Sequence, residues 1–526
     1  MKPENKENKK TAELPTRRLS PIRVLIALLL ISILAYTGLQ KIKQIDDSKF
    51  ITNTNPWFAP YVDVTATPYF DFEKLGTTPA KNVVLSFIVS SQEDACVPSW
   101  GKAYTLDKAS NQLDLDRRIA RLRQLGGDIS ISFGGLLNDE MSINCTDTQR
   151  LADAYKSVIE KYNVYTLDFD LEGNGLSDTD AAVRRAQVLT LLQQDLRQQG
   201  KNLAIWLTLP VIPQGLTETG TNAIATMLAN GVDIAGVNIM TMNYGQSRAN
   251  GQTMADASAR ALLETHRQLG ILYSNAGIDL SGASLWKKLG ATPMIGQNDL
   301  ANDIFTLDDA VALNKYAQSQ GLIRLSMWSA NRDIQCGENY ANITVASDSC
   351  SGLKQNSLDF INTLSIEMDG TIQQNVVTTK EDSPEELSNT DDPATSPYQI
   401  WSENNIYLEG TKVVWHKNVY QAKWWTQGDL PDNPVLQSWQ TPWQLIGPVL
   451  PGEKPFEQLK LPDGTYPEWS GTKQYNSGDK IMFNGVPYNA KWWTLGDSPA
   501  AATADPTSSP WQALTQAQIE EILKNK

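Results

Sequence analysis

Three acidic residues alternate with apolar ones in the segment from Leu167 to Glu172. A β-strand would place the carboxyl groups of Asp168, Asp170 and Glu172 on one face, because successive side chains point to opposite sides. Carboxylates crowded in this way cannot all ionise freely, so we expect a coupled set with at least one raised pKa. Such a group is a general acid near neutral pH, as glycoside hydrolysis requires, and needs no metal or cofactor. Taken alone, the segment also fits an exposed edge strand or a calcium loop.

The composition excludes several other kinds of chemistry. The 526-residue chain contains only two histidines, His266 and His416, which rules out serine- or cysteine-histidine nucleophile systems and histidine-rich metal sites. We expect both rings to be surface or hydrogen-bonded groups. The net charge of -14 argues against nucleic acid or an anionic membrane surface as a partner and favours a neutral substrate. Proton transfer in a catalyst with this composition must use carboxylates.

Short apolar runs alternate with helical patterns between residues 57 and 364, which is typical of β-α-β units around a parallel sheet. Eight runs begin at Trp57, Asn82, Ile129, Val164, Asn202, Ile234, Ala291 and Ile323. Helices are predicted between them at residues 115–125, 149–161, 180–198, 254–269 and 307–320. This pattern predicts an α/β fold: a (β/α)8 TIM barrel over residues 52–365, followed by two small β-rich modules. The three acids then lie at the C-terminal mouth of the fourth strand, where barrel active sites occur.

Two motifs on successive predicted strands resemble motifs of glycoside hydrolase family 18. ISFGG at residues 131–135 is similar to the SxGG motif of that family, and residues 165–172 are similar to its DxxDxDxE motif. The resemblance extends to the segments around Tyr244, Gln297 and Trp328, so it covers the whole predicted barrel. Within the family, the chain is most similar to the chitinases in which the motif has the form LDFD-hydrophobic-EG.

The resemblance implies a retaining, substrate-assisted chitinase, in which the N-acetyl carbonyl of the bound sugar attacks its own anomeric carbon. Glu172 would protonate the glycosidic oxygen and later activate water. Asp170 would orient the acetamido N–H group, and Asp168 would tune Asp170 from below.

The resemblance also implies which side chains hold the sugar. Tyr244 or Asn243 would bind the acetamido carbonyl group, and Trp328 would form the floor under the sugar, although Trp328 also fits ordinary barrel packing. The other predicted substrate-binding residues are Met242, Gln297, Tyr61 and Phe87.

The chain departs from the family pattern at two positions. Tyr165 replaces the first Asp of the eight-residue motif, which we expect to affect strand support, and Asn243 replaces an Asp near the end of the sixth strand, which we expect to weaken substrate polarisation or shift the pH optimum. Residues 298–322, between the seventh and eighth strands, have room for one helix and nothing more. An open cleft and cleavage within chains are therefore expected.

An aromatic repeat follows an acidic linker at residues 366–397. Trp401, Tyr420, Trp424, Trp425 and Trp443 recur after an offset of 68 residues, as Trp469, Tyr488, Trp492, Trp493 and Trp511. The repeat predicts modules at residues 398–447 and 466–514, joined by a linker at 448–465. The AKWWTxG pattern resembles carbohydrate-binding modules of families 5 and 12, which implies chitin binding. The candidate binding residues are Tyr420, Trp424, Trp425, Tyr488, Trp492 and Trp493, and a core built by all these aromatics is the alternative.

The N-terminus predicts export. A basic tail at residues 1–23 precedes an apolar run within residues 24–40, which fits either a signal peptide or an uncleaved anchor with a single membrane span; we favour the anchor. The body of the protein would then be secreted or anchored outside the cytoplasm. In an oxidising compartment the four cysteines should pair, and of three connectivities we prefer Cys96 with Cys145 and Cys336 with Cys350.

Three functions remain open on the sequence. The leading hypothesis is an endo-acting chitinase, expected as a monomer, with chitin and chito-oligosaccharides as partners. The second is an endo-β-N-acetylglucosaminidase acting on other glycans, such as an N-glycan core or peptidoglycan. The third is a non-catalytic chitin-binding protein, against which the presence of Glu172 argues.

Overall fold

The computed structural model describes residues 55–340, 342, 344–372, 391–392, 395–403, 405–450, 452–456, 459, 461–462, 464–483, 485–499, 509–514 and 516–525. The predicted basic tail, the apolar segment at 24–40 and most of the acidic linker lie outside the described residues. Across the described ranges, no helix is both long and apolar enough to cross a membrane.

A twelve-stranded sheet organises the main domain (residues 55–372). Its strands are β1 (Trp57–Phe58), β2 (Tyr61–Asp63), β3 (Val83–Ser90), β4 (Pro98–Trp100), β5 (Tyr104–Thr105), β6 (Ile129–Gly134), β7 (Thr166–Asp170), β8 (Ala204–Ile212), β9 (Gly215–Leu216), β10 (Ile234–Met240), β11 (Leu289–Thr292) and, after a hairpin, β14 (Arg324–Leu325). Strands follow the order β1-β14-β11-β10-β8-β7-β6-β3-β4-β5, while β2 pairs with β3 and β9 with β8. All eight predicted runs contain or adjoin a strand, although the seventh strand begins at Leu289, before the predicted run.

The closed barrel stays a prediction. The strand pairings form an open path, because the first predicted strand is divided at Ala59 and Pro60 into two short pieces. The first piece pairs with β14 and the second with β3, both in parallel. The edges of the path are β1 and β5, and β2, the continuation of the first predicted strand, pairs with β3 inside the path.

Helices lie between the strands: α1 (Leu106–Gln112), α2 (Leu115–Gln124), α3 (Met141–Asn144), α4 (Thr148–Tyr162), α5 (Asn174–Ser177), α6 (Thr179–Gln198), α7 (Glu218–Ala229), α8 (Met254–Asn275), α9 (Gly282–Trp286), α10 (Leu307–Gln320) and α11 (Asp359–Leu364). The five predicted helices are confirmed as α2, α4, α6, α8 and α10. Their ends carry the expected caps: the side chain of Asp147 accepts hydrogen bonds at the start of α4, and Thr306 forms a capping box with Asp309 in α10. Sequence reasoning missed α7.

The segment between the seventh and eighth strands contains a hairpin in addition to the one predicted helix. A two-stranded antiparallel hairpin, β12 (Gly296–Gln297) and β13 (Ile304–Phe305), precedes α10. The expectation of a single helix was therefore incomplete. The hairpin turn carries Asp299, which contributes to the site described below.

Strand β7 separates two apolar clusters. Leu167, Phe169 and Leu171 are buried in the large core that the helices cover. Asp168 and Asp170 alternate with them and point to the other side of the sheet. A smaller cluster that includes Tyr61 and Trp206 lies on that side, with Phe87 and Trp328 packed against it. Aromatic side chains therefore lie on the same side of the sheet as the acids.

Both predicted disulfides are confirmed, Cys96–Cys145 and Cys336–Cys350. The histidines are hydrogen-bonded, as expected. One ring nitrogen of His266 lies 2.9 Å from the Gly282 carbonyl oxygen, and Nδ1 of His416 lies 2.6 Å from Asp432.

The two C-terminal modules are small β-structures related by the 68-residue offset. The first contains β15 (Gln399–Ile400), β16 (Ile406–Tyr407), β17 (Lys412–Trp415), β18 (Asn418–Ala422), β19 (Thr426–Gln427) and β20 (Trp443–Pro448). The second contains β21 (Gln474–Tyr475), β22 (Lys480–Phe483), β23 (Val486–Ala490), β24 (Thr494–Leu495) and β25 (Trp511–Ala513), and helix α12 (Gln516–Lys524) follows it. Strands β16 to β19 and β21 to β24 begin and end 68 residues apart, so the aromatic repeat is also a structural repeat.

Candidate active site

Asp168 lies at the bottom of the acid site and is completely paired. Its two carboxylate oxygens accept hydrogen bonds from the side chains of Tyr61 (2.8 Å), Ser132 (2.7 Å), Thr208 (2.7 Å) and Arg324 (2.8 Å). Asp168 and Arg324 are both fully buried, so their ion pair is shielded from water. Both oxygens of Asp168 are therefore already occupied by side chains of the protein.

Asp170 lies two residues further along β7, on the same face, but its side chain is not fully hydrogen-bonded. Its carboxyl group is buried, and Oδ1 has no hydrogen-bond partner among the described residues. Burial first, and then the charges of Glu172 and Asp168, raise the pKa of Asp170 well above its usual value. An acid that keeps a buried, unpartnered oxygen can receive a donor from a bound ligand.

Two glycines at the end of β6 allow the backbone to approach Asp170. Gly134 has φ +101°, and a Cβ atom built on it would lie 2.2 Å from the Asp170 carbonyl oxygen. Gly135, with φ +84°, donates its N–H to the same oxygen at 3.0 Å, and its Cβ would lie 3.0 Å from the Phe87 ring. A side chain at either position would displace Asp170 or Phe87, which explains the paired glycines of the ISFGG motif.

Glu172 follows the end of β7 and is half-buried at the mouth of the site. Burial, and next the charge of Asp299, raise its pKa above the ordinary value, so its protonated form persists to higher pH. Asp299 is oriented by Asn243: the Asn243 amide donates to Asp299 Oδ2 (2.8 Å) and accepts from the Asp299 N–H (3.0 Å). The crowded, proton-retaining acids predicted from the sequence are therefore present, with one additional carboxylate.

A cleft of about 180 Å³ contains the upper acids. Its lining includes Asp170, Glu172 and Glu140. Glu140 forms a buried ion pair with Arg185 (3.1 Å) and also accepts the Tyr155 hydroxyl group. This wall is rigid and paired, like the Asp168 floor. A second part of the lining, Leu136, is 72% exposed.

Three of the predicted sugar-contacting aromatics lie together. The Trp328 and Phe87 rings stack at 5.5 Å, and the Tyr61 ring lies 6.1 Å from Trp328. Trp328 and Phe87 are half-buried, whereas Tyr61 is buried and uses its hydroxyl group to bind Asp168. Tyr61 therefore supports the floor, and the Trp328–Phe87 pair is the aromatic surface available to a ligand.

The structure corrects the role expected of Tyr244. Its side chain is only 4% exposed, packs in the large core, and has its hydroxyl group 3.5 Å from Ser258 of α8. It cannot offer that hydroxyl group to a sugar beside Glu172. Gln297 is also buried and donates to the main-chain carbonyl groups of its own hairpin turn, including Asn298 at 3.0 Å. Met242 and Asn243 are half-buried and remain accessible in part.

The module aromatics divide into core and surface residues. Tyr420 and Tyr488 are core residues of the two modules, which corrects their assignment to the chitin-binding face. Trp424, Trp492 and Trp493 are 45%, 44% and 55% exposed. Trp425 is half-buried. The paired tryptophans lie in bends after β18 and β23 rather than within a strand, so the alternation expected of a strand does not apply to them.

Sequence reasoning missed several members of the site. These are Ser132, Thr208, Arg324, Asn238 and Asp299. A signal existed for Arg324, because a charged residue inside an apolar strand requires a buried partner. Asn238, which donates to Thr208 (3.0 Å) and Thr292 (2.7 Å), had no such signal.

The arrangement can perform acid-base chemistry with carboxylates alone. Glu172 can supply a proton at the mouth, and Asp170 offers an open acceptor. Asp168 links β7 to the neighbouring strands through its hydrogen bonds below them. Within the described residues, no group of three or more His, Cys, Asp or Glu side chains is placed to hold a metal ion.

The second module matches a known family. Residues 468–512 match the family model of carbohydrate-binding module family 5/12. The same assignment for the first module rests on the repeat and stays a prediction.

Two curated relatives align with about half of the chain. A "Probable bifunctional chitinase/lysozyme" of Escherichia coli (strain K12) is 34% identical over 289 residues, which are 54% of this chain and 31% of that protein. "Endochitinase 11" of Metarhizium anisopliae is 33% identical over 284 residues, which are 53% of this chain and 52% of that protein. The chain thus spans about a third of one relative and about half of the other.

A solved structure matches the main domain. The catalytic domain of a hyperthermophilic chitinase from Pyrococcus furiosus is 28% identical, with a TM-score of 0.52, and the match covers 61% of this chain and 97% of that domain. The chain therefore has chitinase homologues of the family 18 type and carries a family 5/12 carbohydrate-binding module.

Proposed function

We propose that this protein is a chitinase that hydrolyses β-1,4-N-acetylglucosamine linkages by the retaining, substrate-assisted mechanism. The observation that carries the proposal is the buried, unpartnered Oδ1 of Asp170 beside a half-buried Glu172 whose pKa is raised. The similarity to chitinases supports it, as does a further Pyrococcus furiosus chitinase structure, of catalytic site mutants complexed with chito-oligosaccharides, with a TM-score of 0.51 and 28% identity.

In this mechanism Glu172 protonates the departing glycosidic oxygen while the substrate's acetamido carbonyl oxygen bonds to the anomeric carbon. Asp170 accepts a hydrogen bond from the acetamido N–H at its open oxygen and stabilises the positive charge of the cyclic intermediate. The ionised Glu172 then takes a proton from water, which attacks the anomeric carbon and reopens the ring. The Trp328–Phe87 pair would support the apolar face of the sugar.

Asp168 has a positioning role rather than a chemical one. Its two oxygens accept four hydrogen bonds, and its charge is one of the causes that raise the pKa of Asp170. Arg324 balances that charge from below. Asp168 thus contributes, after burial and the charge of Glu172, to the raised pKa of Asp170 without contacting the substrate.

We also propose cleavage within chains and action outside the cytoplasm. The connection between β11 and β14 contains only a hairpin and one helix, which supports an open cleft. Two disulfides support folding in an oxidising compartment. The N-terminal sequence of the exported protein would show whether residues 24–40 are removed.

The decisive experiment compares the wild type with Glu172→Gln on colloidal chitin and on the soluble N-acetylglucosamine hexamer. The variant keeps shape but cannot donate a proton, so the rate on both substrates should fall roughly 10²- to 10⁴-fold. The matched control is Glu160→Gln, an exposed residue of α4, which should not change either rate. A wild type that releases no soluble product, or a variant as active as the wild type, would refute the proposal.

A second candidate function is hydrolysis of a lysozyme-type substrate. It is favoured by the similarity to the Escherichia coli relative, a probable bifunctional chitinase/lysozyme. Parallel assays on purified peptidoglycan and colloidal chitin separate the two candidates. We expect the chitin rate to be the greater, because the second module matches a carbohydrate-binding family that the sequence resemblance links to chitin.

A further inference from the structure

Residues 433–440 of the first module, which we term the docking loop, contact the main domain. Tyr420 and Lys423 of the same module also lie close to α8, where they line a cleft with Glu264 and Arg267. Arg267 of α8 donates to the main-chain carbonyl oxygen of Val435 at 2.6 Å, and Gln268 donates to that of Leu436 at 2.9 Å. The Leu436 side chain packs against the large core of the main domain. The sequence predicted the linker before this module but gave no indication of these contacts.

Two further contacts fix this loop. Gln268 is fully buried and also binds both the N–H (2.8 Å) and the carbonyl group (2.9 Å) of Leu216 in β9, so its own position is set by the main domain. In the orientation that satisfies both of its amide atoms, Gln437 donates to Leu216 (3.3 Å) and accepts from the Thr221 hydroxyl group (3.3 Å). The loop is thus anchored by main-chain acceptors, an apolar side chain and a side-chain amide.

The second module lacks the chemistry of this loop. At the 68-residue offset, Val435, Leu436 and Gln437 correspond to Thr503, Ala504 and Asp505. Neither the apolar side chain nor the neutral amide recurs. The residues that dock the first module are therefore not part of the pattern that the two modules share.

Trp439 projects from the docking loop and is 60% exposed, more than any other tryptophan that the structure describes. Its equivalent in the second module is Thr507, so it belongs to the docking loop and not to the repeat. The neighbouring Ser438 carbonyl group accepts the Lys423 ammonium group, which also lies 4.7 Å from the centroid of the Trp424 ring. Lys423 therefore links the residue that precedes Trp439 to the exposed ring of Trp424.

We propose that Trp439 is a further sugar-stacking residue, which docking of the first module holds in a fixed orientation relative to the main domain. The proposal rests on the proposed chitinase function and extends it. A large exposed indole on an anchored loop stacks on the apolar face of a pyranose ring without losing side-chain freedom on binding. A chitin chain bound to Trp439 has one orientation with respect to the cleft. A chain bound to the second module is held close to the enzyme without a fixed orientation.

The first test measures adsorption of the full chain to chitin beads. Trp439→Ala should weaken adsorption roughly twofold to tenfold, while Trp439→Phe, which keeps an aromatic ring, should restore most of it. The matched control is Leu430→Ala, an exposed apolar residue of the same module, which should adsorb like the wild type. Equal adsorption of Trp439→Ala and Leu430→Ala would overturn the stacking role.

The second test breaks the docking. Leu436→Lys places an ammonium group against the apolar core and near Arg267, so the first module should separate and the radius of gyration from small-angle scattering should rise. Ala504→Lys adds the same charge at the equivalent position of the second module and is the control. For each variant we take the hydrolysis rate on insoluble chitin per adsorbed molecule and divide it by the rate on the soluble hexamer. This ratio should fall about threefold or more with Leu436→Lys and should stay unchanged with Ala504→Lys.

The outcomes separate the inference from the function on which it rests. If Leu436→Lys expands the molecule but leaves that ratio unchanged, or does not expand it, the fixed orientation is refuted. If the wild type hydrolyses no chitin, the chitinase function fails, and the adsorption of the Trp439 variants still decides whether this residue binds the polymer.

Discussion

The acid site has a floor, Asp168, and a mouth, Asp170 with Glu172. Both carry carboxyl groups, but those groups differ in how many hydrogen-bond partners the protein gives them. The floor carboxylate accepts from four donors and has a buried counter-ion in Arg324. At the mouth, Asp170 has an unpartnered oxygen, and the pKa values of both acids are raised by burial. The comparison teaches that pairing decides whether a buried acid serves the fold or is available to a ligand.

The largest expected effect comes from breaking the floor. Asp168→Asn preserves shape but leaves the Arg324 guanidinium group buried without a counter-charge, so the free energy of unfolding should fall by about 3–5 kcal/mol. Urea denaturation of the main domain measures it, with the exposed Asp153→Asn as control. Adding Arg324→Met should recover part of the loss. Identical midpoints for Asp168→Asn and wild type would show that the floor is not a stabilising pair.

The second effect comes from neutralising the mouth. Asp170→Asn should lower kcat on the soluble hexamer roughly 10²- to 10³-fold, because the cyclic intermediate loses its stabilising group. The free energy of unfolding at pH 7 should not fall. The folded-state pKa of Asp170 lies above its unfolded value, so ionisation of this group opposes folding at neutral pH, and the neutral amide removes that cost. A variant as unstable as Asp168→Asn would contradict the distinction between floor and mouth.

A smaller effect concerns Asp299. After burial, its charge is the next cause that raises the pKa of Glu172, so Asp299→Asn should lower that pKa. Because Glu172 must be protonated to act as the acid, the alkaline limb of the kcat/KM profile should move to lower pH. The exposed Asp279→Asn should leave the limb in place. A limb that does not move with Asp299→Asn would exclude electrostatic coupling between the two carboxylates.

The smallest effect extends the comparison to the modules. Trp493 is exposed and its counterpart Trp425 is half-buried, so Trp493→Ala should weaken adsorption to chitin roughly twofold to tenfold, and Trp425→Ala should weaken it less. Bead-binding isotherms measure both. A larger loss from Trp425→Ala at unchanged thermal stability would reverse the assignment of core and surface.

Much of the fold could be predicted because its signals are local. The alternation in Leu167–Glu172 predicted strand β7 and the two faces of its side chains, and the apolar period of residues 254–269 predicted most of α8. The interruption of the first strand had a local signal in Pro60, which cannot donate a main-chain hydrogen bond, but the different partners of its two halves, β14 and β3, had none.

The candidate site could be predicted only where its chemistry lies in one segment. Asp168, Asp170 and Glu172 share a strand and its end, so their crowding is visible in the sequence. The role of Tyr244 was misread because nothing in its own segment shows that the hydroxyl group faces Ser258 of α8. Tyr420 was misread for the same reason, since an aromatic residue in a small module suits both core and surface.

The sequence by itself determined most of the strands, the five long helices that it predicted, the three acids and the repeat, because each of these depends on residue types at short or regular spacing. It left three cysteine connectivities open, and the structure shows the preferred one. Only the tertiary structure decided which acid is neutralised and which is left open. Arg324 and Tyr61 reach Asp168 from positions 156 and 107 residues away in the chain. It also decided that the first module docks on the main domain. Such partners are selected by proximity in the folded state, for which local periodicity carries no information.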